Sequence, residues 1–126
     1  PFVTVCQIMS RPHWAFNDTC AALEHEQCYG EVTWRGMRRI LHCLNQVPAC
    51  AMGKDDIFFE VGSGFGDLAA FVRRETAVKK VVGLEVNECR VKISSQKHSK
   101  LLVDKHRAFE LTHADVMETV KASGFS

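Results

Sequence analysis

At 126 residues the chain is one domain at most, with a modest core. Its 46% apolar and 25% charged residues, with 3 prolines and no low-complexity run, exclude a disordered or fibrous chain. A formal net charge of +1 argues neither for nor against nucleic acid, so local clusters must carry that question.

The chain opens on "PFVTVCQIM", a candidate short strand, followed by loop in "SRPHWAFND" and a turn or two of helix in "AALEHEQC". From Thr33 the pattern changes. "TWRGMRRILHCLNQV" sets Met37, Ile40, Leu41 and Leu44 on one stripe, which predicts a helix over 34–46 with Thr33 as N-cap and Pro48 as stop. "PACAMGKDD" reads as loop. "DIFFEV", at 56–61, is apolar up to its last carboxylate and predicts a strand covered on both faces.

"DLAAFVRRETA" predicts a helix with Leu68, Phe71 and Val72 inward, and "KVVGLEV" at 80–86 a second buried strand. "NECRVKISSQKHSKLLV" contains the next helix, weakened by Ser94, Ser95 and Ser99. "RAFELTHAD" predicts a third strand ending near Thr112, and "DVMETVKASG" a further helix with Gly124 as terminator. Strands alternating with helices imply an α/β fold, a partial parallel sheet joined by right-handed crossovers.

The turn "GSGFG", after the first of these strands, carries the chemistry. Gly62 permits a sharp turn, Gly64 lets a ligand approach the main chain beside Ser63, and Gly66 starts the next helix tight against the sheet. Free amides at that helix start are expected to form a polar cradle. A dinucleotide fingerprint needs its third glycine at position 67, which is Asp67, and a pyrophosphate would meet Glu60 and Asp67 where negative charge is unwelcome. S-adenosylmethionine (SAM) has no phosphate and carries cationic amino and sulfonium groups, so Glu60 is an asset to it. Glu85 stands at the spacing of an acid that takes both hydroxyls of an adenosyl ribose, and Asp115 can accept the adenine amine. Following three successive strands, Glu60, Glu85 and Asp115 are expected along one carboxyl edge of the sheet. The competing readings are a glycine-rich hairpin turn, NAD or FAD binding, and a plain helix cap at Asp115.

Other signals are weaker. Cys6, Cys20, Cys28, Cys43, Cys50 and Cys89 include no Cys-x-x-Cys, which favours free and largely buried thiols in a reducing compartment over disulfides. A zinc site from Cys20, His25 and Cys28, with His13, matches no strong template, so no metal is expected. No apolar run is long enough for a membrane span. Arg90, Lys92, Lys97, Lys100, Lys105 and Arg107 form a basic cluster suited to non-specific DNA phosphate contacts or to a solvated helix face.

Two segments together, "YGEVTWRGMRRIL" at 29–41 and "DDIFFEVGSGFGDLAAFV" running on to "VVGLEV", resemble the Dot1 family of histone H3 lysine methyltransferases. These are class I, Rossmann-like enzymes rather than SET-domain ones. The likeness covers about residues 28–118 and implies SAM as cofactor, histone H3 within nucleosomes as partner, and the nucleus as location. It places Tyr29 and Glu31 in a loop over the methionine part of the cofactor. The family has threonine directly after that glutamate, whereas here Val32 stands there and Thr33 follows. By the same likeness Glu60, Gly62, Gly64 and Gly66 form the cofactor loop, Glu85 is the ribose acid, and Asp115 lies at the adenine pocket.

The family continues into a fourth strand and an asparagine- and phenylalanine-rich motif lining the lysine channel, and nothing like it follows Ala114. The resemblance therefore implies a SAM-binding half-domain over 29–126, with residues 1–28 a segment of unclear role and no catalytic residue to name. Without further strands "IFFEV" is expected to be an exposed sheet edge, open to self-association unless "PFVTV" covers it. The alternatives to lysine transfer are another class I protein or small-molecule methyltransferase and a non-catalytic SAM-binding chromatin scaffold.

Overall fold

The computed structural model describes residues 2–6 and 32–122. In chain order they form β1 (Phe2–Cys6), α1 (Trp34–Asn45), β2 (Ile57–Val61), α2 (Asp67–Glu75), β3 (Lys80–Glu85), α3 (Glu88–Lys97), α4 (Ser99–Leu102), β4 (Ala108–His113) and α5 (Val116–Ala122). The strands make one four-stranded sheet in the order β1-β2-β3-β4, parallel throughout.

Of the two outcomes expected for β2, a bare edge or one covered by the N-terminal segment, the second holds. β1 pairs with it from Phe2↔Ile57 to Cys6↔Val61. β1 thereby satisfies ladder groups on that side of β2.

Phe58, Val81 and Phe109 form one register row across β2, β3 and β4, and all three are buried. Met37 and Leu41 of α1 and Leu68 to Val72 of α2 pack with this row into the core. The expected apolar stripe of α1 thus faces inward, and Thr33 caps the helix by accepting the Gly36 amide at 3.1 Å. Trp34 rests edge-on against Phe71, with ring centroids 4.9 Å apart. Ala69 and Ala70, both wholly buried, let α2 lie close on the sheet.

β3 is buried on both faces from Val81 to Glu85, as a central strand should be. In β2 only Phe58 and Glu60 are fully buried, and the alternate residues are half-buried, so the expectation of two covered faces holds only in part. Gly83 has a packing reason: a Cβ there would lie 2.9 Å from Leu111 and from Ser63.

The segment expected to be one helix is two. α3 ends at Lys97, His98 turns with φ −108° and ψ 22°, and α4 adds a single turn. Buried Arg73 then fastens α2 to the approach of β4, donating to Asp104 at 2.5 Å and to the Arg107 carbonyl at 3.3 Å. Arg107 donates in return to the Arg73 carbonyl at 2.7 Å and to the Thr76 carbonyl. Of the thiols expected to be free and largely buried, the described ones are free but not buried: Cys43 is exposed, and Cys50 and Cys89 are half-exposed. Cys20, His25, Cys28 and His13 lie outside the described residues. Among the described residues no helix is long and apolar enough to cross a membrane.

Candidate cofactor-binding site

The register of β2 and β3 decides which acids meet. Glu60 pairs with Gly83, so Glu85, two residues further along β3, lies on the same face of the sheet as Glu60. Between them runs the glycine turn, with φ of 73°, 54° and 74° at Gly62, Gly64 and Gly66. A residue with a Cβ would lose about 1–2 kcal/mol in each such left-handed conformation.

Hydrogen bonds stitch the turn to β3. The amides of Gly62 and Ser63 donate to the Leu84 carbonyl at 2.8 and 2.9 Å, and the Gly66 amide donates to the Ser63 carbonyl at 2.7 Å. Around Gly62 the position of a missing Cβ has no atom within 4 Å, so this glycine faces open space. At Gly66 a Cβ would meet Leu111 at 3.2 Å and His98 at 3.3 Å, so there glycine allows the tight helix start that the sequence implied.

Two buried carboxylates anchor the ends of this segment. Glu85 accepts the Gly64 amide on Oε2 at 2.8 Å and the Asn87 amide on Oε1 at 2.9 Å, with the Arg90 guanidinium 3.7 Å away. Glu60, 0% exposed, accepts the Ala69 amide on Oε2 at 2.9 Å. Gly66, the N-cap of α2, has no side chain to cap with, so a strand carboxylate does the capping from below and meets the positive end of the helix dipole.

The expected cradle of free amides is therefore corrected. Gly62, Ser63, Gly64, Gly66 and Ala69 all donate within the chain.

Asp115 joins the same edge. The Ala114 amide donates to the Glu85 carbonyl at 3.1 Å, and His113 Nε2 lies 2.9 Å from the Val86 carbonyl, so the end of β4 is tied to the end of β3. Asp115 accepts the Met117 amide on Oδ1 at 2.7 Å, which makes it the cap of α5 and leaves Oδ2 without a donor among the described residues. Val86 and Met117, 53% and 62% exposed, stand beside these acids as apolar side chains that periodicity gave no reason to single out. Thr33 is spent on capping α1, although its hydroxyl hydrogen remains available. Tyr29 and Glu31 lie outside the described residues.

Sequence reasoning also missed Asp67 and His98. Asp67 pairs with Lys97 at 2.6 Å and lies 3.3 Å from His98 Nε2. Burial pushes the Asp67 carboxyl up, but hydrogen bonds from His98 and Lys97, with the charges of both, outweigh it and hold the pKa below its usual value. The signal was a histidine inside a basic run, which spacing cannot tell from a solvated one.

Most of that basic run is paired within the chain. Arg90 faces Glu85, Lys92 pairs with Glu88, Lys97 with Asp67, and Arg107 is spent on backbone carbonyls. A basic stripe lies instead on α1, where Arg35, Arg38, Arg39 and His42 are all exposed at i, i+3, i+4, i+7 spacing. No acid stands in that helix, and Arg38 reaches over the Phe71 ring at 6.0 Å.

A parallel sheet with crossover helices, a glycine turn after one strand and acids at the ends of the next two define a partial Rossmann-like methyltransferase fold. The profile of the family described as histone methylation protein DOT1 matches residues 22–123. The chain belongs to the DOT1 family, and with it to the histone methyltransferases. No curated protein matches the chain with significance.

Proposed function

We propose that the chain binds SAM at the 62–66 turn and Glu85, as the cofactor-holding part of an enzyme that methylates a lysine of histone H3 in nucleosomes, in the nucleus. The observation that carries this reading is the bond from the Gly64 amide to Glu85. A dinucleotide fold offers such a turn amide to a pyrophosphate, whereas here a carboxylate already holds it and a second carboxylate lies under the helix start. A site built this way repels phosphate and suits a ligand with cationic and hydroxyl groups.

Each residue then has a task. The open space at Gly62 admits the ligand against the main chain. Each Glu85 oxygen accepts one amide and retains a lone pair, enough for the two ribose hydroxyls. Asp115 Oδ2 accepts the adenine amine, with Val86 and Met117 flanking the base. Glu60, with no exposed surface, acts from beneath, fixing the start of α2 at the Ala69 amide rather than touching the ligand. Tyr29, Glu31 and Thr33, by family resemblance, close the methionine end.

Bound SAM supplies an electrophilic methyl on a sulfonium. The protein must hold the acceptor amine in line and uncharged, and lysine in water has a pKa near ~10.4, so a desolvating channel rather than a named base favours the neutral form. Phosphate contacts to nucleosomal DNA fall to the α1 stripe, since the bases of the 90–107 run are mostly committed within the chain.

The test is transfer of labelled methyl from SAM to reconstituted nucleosomes, with the modified residue located by mass spectrometry. Label on an H3 lysine is expected. Label on another histone or on a non-lysine residue contradicts the substrate assignment.

A further inference from the structure

We propose that His98 is a positioning residue for the cofactor turn: through its Nε2–H it holds the Phe65 carbonyl, and thereby sets the crest between Gly64 and α2. This rests on the cofactor reading above but names a residue that neither the glycine motif nor the acids of the site include.

The geometry begins with the break between α3 and α4, which turns the His98 ring back under the loop, where it is 5% exposed. Nε2 lies 3.1 Å from the Phe65 carbonyl oxygen and 3.3 Å from Asp67 Oδ1. Both are acceptors, so the hydrogen is on Nε2. The His98 and Phe109 rings meet in a T-shaped arrangement with centroids 6.3 Å apart, and Gly66 comes so close that a Cβ would lie 3.3 Å from His98 Cδ2. The ring is therefore clamped between β4 and the last glycine of the turn.

Nδ1 separates this role from mere packing. It is buried and has no hydrogen-bond partner among the described residues. A buried polar atom left unsatisfied costs stability, and a phenylalanine or leucine would fill the same space without that cost. The imidazole is explained by what Nε2 does. Glu85 holds Gly64, Glu60 holds Ala69, and His98 holds Phe65 and Asp67 between them, so the three side chains fix the segment from turn to helix. Lys97, paired to Asp67 at 2.6 Å, is the other charged group at this point.

Two variants test it. His98→Phe keeps the bulk and withdraws the donor, and His98→Gln returns an N–H near the place of Nε2. Calorimetry should show SAM binding about fivefold or more weaker in His98→Phe, with no fall in melting temperature, and restored to within about twofold in His98→Gln. In the ligand-free protein, hydrogen exchange at the Gly66 and Ala69 amides should quicken in His98→Phe and not in His98→Gln. Equal affinity and exchange in wild type and His98→Phe overturn the proposal, as does a His98→Gln that behaves like His98→Phe. Should His98→Phe fail to fold, His98→Asn, too short to reach Phe65, replaces it, and an Asn variant equal to the Gln variant overturns the proposal. A wild-type chain that binds no SAM contradicts the cofactor reading, and the exchange comparison still decides whether His98 holds the turn.

Discussion

Gly64 gives its amide hydrogen to Glu85 across 2.8 Å, from the turn after β2 to the last residue of β3. A single carboxylate therefore serves two ends. It fixes the turn from within, and it presents what remains of its lone pairs at the carboxyl edge, where open α/β sheets take ligands.

Replacing Glu85 by alanine should lower SAM affinity by about 10- to 100-fold, the worth of one or two charge-assisted hydrogen bonds. Calorimetry measures it, with circular dichroism to show that the sheet persists. A loss under about threefold would remove Glu85 from the site.

Glu60 carries a different load. Its carboxylate caps α2 at Ala69, so Glu60→Ala should cost about 1–2 kcal/mol of stability. Urea unfolding reads that directly. An unchanged midpoint would mean that the cap is idle.

Gly83 tests the packing behind the turn. A Cβ there meets Leu111 and Ser63 at 2.9 Å, closer than real contacts allow. Gly83→Ala should destabilise the fold by about 1–3 kcal/mol, and should weaken SAM binding as Ser63 is displaced. Thermal melts with and without SAM separate the two effects.

Asp67 supplies a pH dependence whose sign follows from its neighbours. Its folded pKa is lowered from 3.8, so the unfolded chain takes up a proton first as pH falls. The stability due to Asp67 is present above about pH 4 and is lost as pH drops through the folded value. Asp67→Asn should flatten the acid limb of the unfolding profile, and an unaltered limb would contradict the pairing with Lys97 and His98.

Much of this was legible because it rests on local chemistry. The stripe Met37, Ile40, Leu41, Leu44 marked α1, and Thr33 marked its start, since a helix face and its cap are written within one stretch of chain. Glu60, Glu85 and Asp115 follow successive strands, so a parallel sheet brings them to one edge once the strands are known. What was not legible depends on partners far apart in sequence. The burial of His98 against Phe65 and the use of Arg107 on the Arg73 carbonyl arise from tertiary placement, not spacing. The basic run left two readings open for the same reason, because charge in sequence does not show which carboxylate or carbonyl will absorb it. The segment 7–31, with Tyr29 and Glu31, lies outside the described residues.

On the proposed reading the α1 stripe, rather than that run, meets DNA phosphates. Changing Arg35, Arg38 and Arg39 together to glutamine should weaken binding to duplex DNA and reduce the slope of log K against log salt by about 0.9 for each phosphate no longer neutralised. SAM binding should be untouched. An unchanged salt slope would show that α1 is a solvated face.

Calorimetric titration of the chain with SAM, and separately with NAD, weighs the central claim most directly. Binding of SAM that is lost in Glu85→Ala, with no heat from NAD, is the expected result. Binding of NAD in preference to SAM would contradict it.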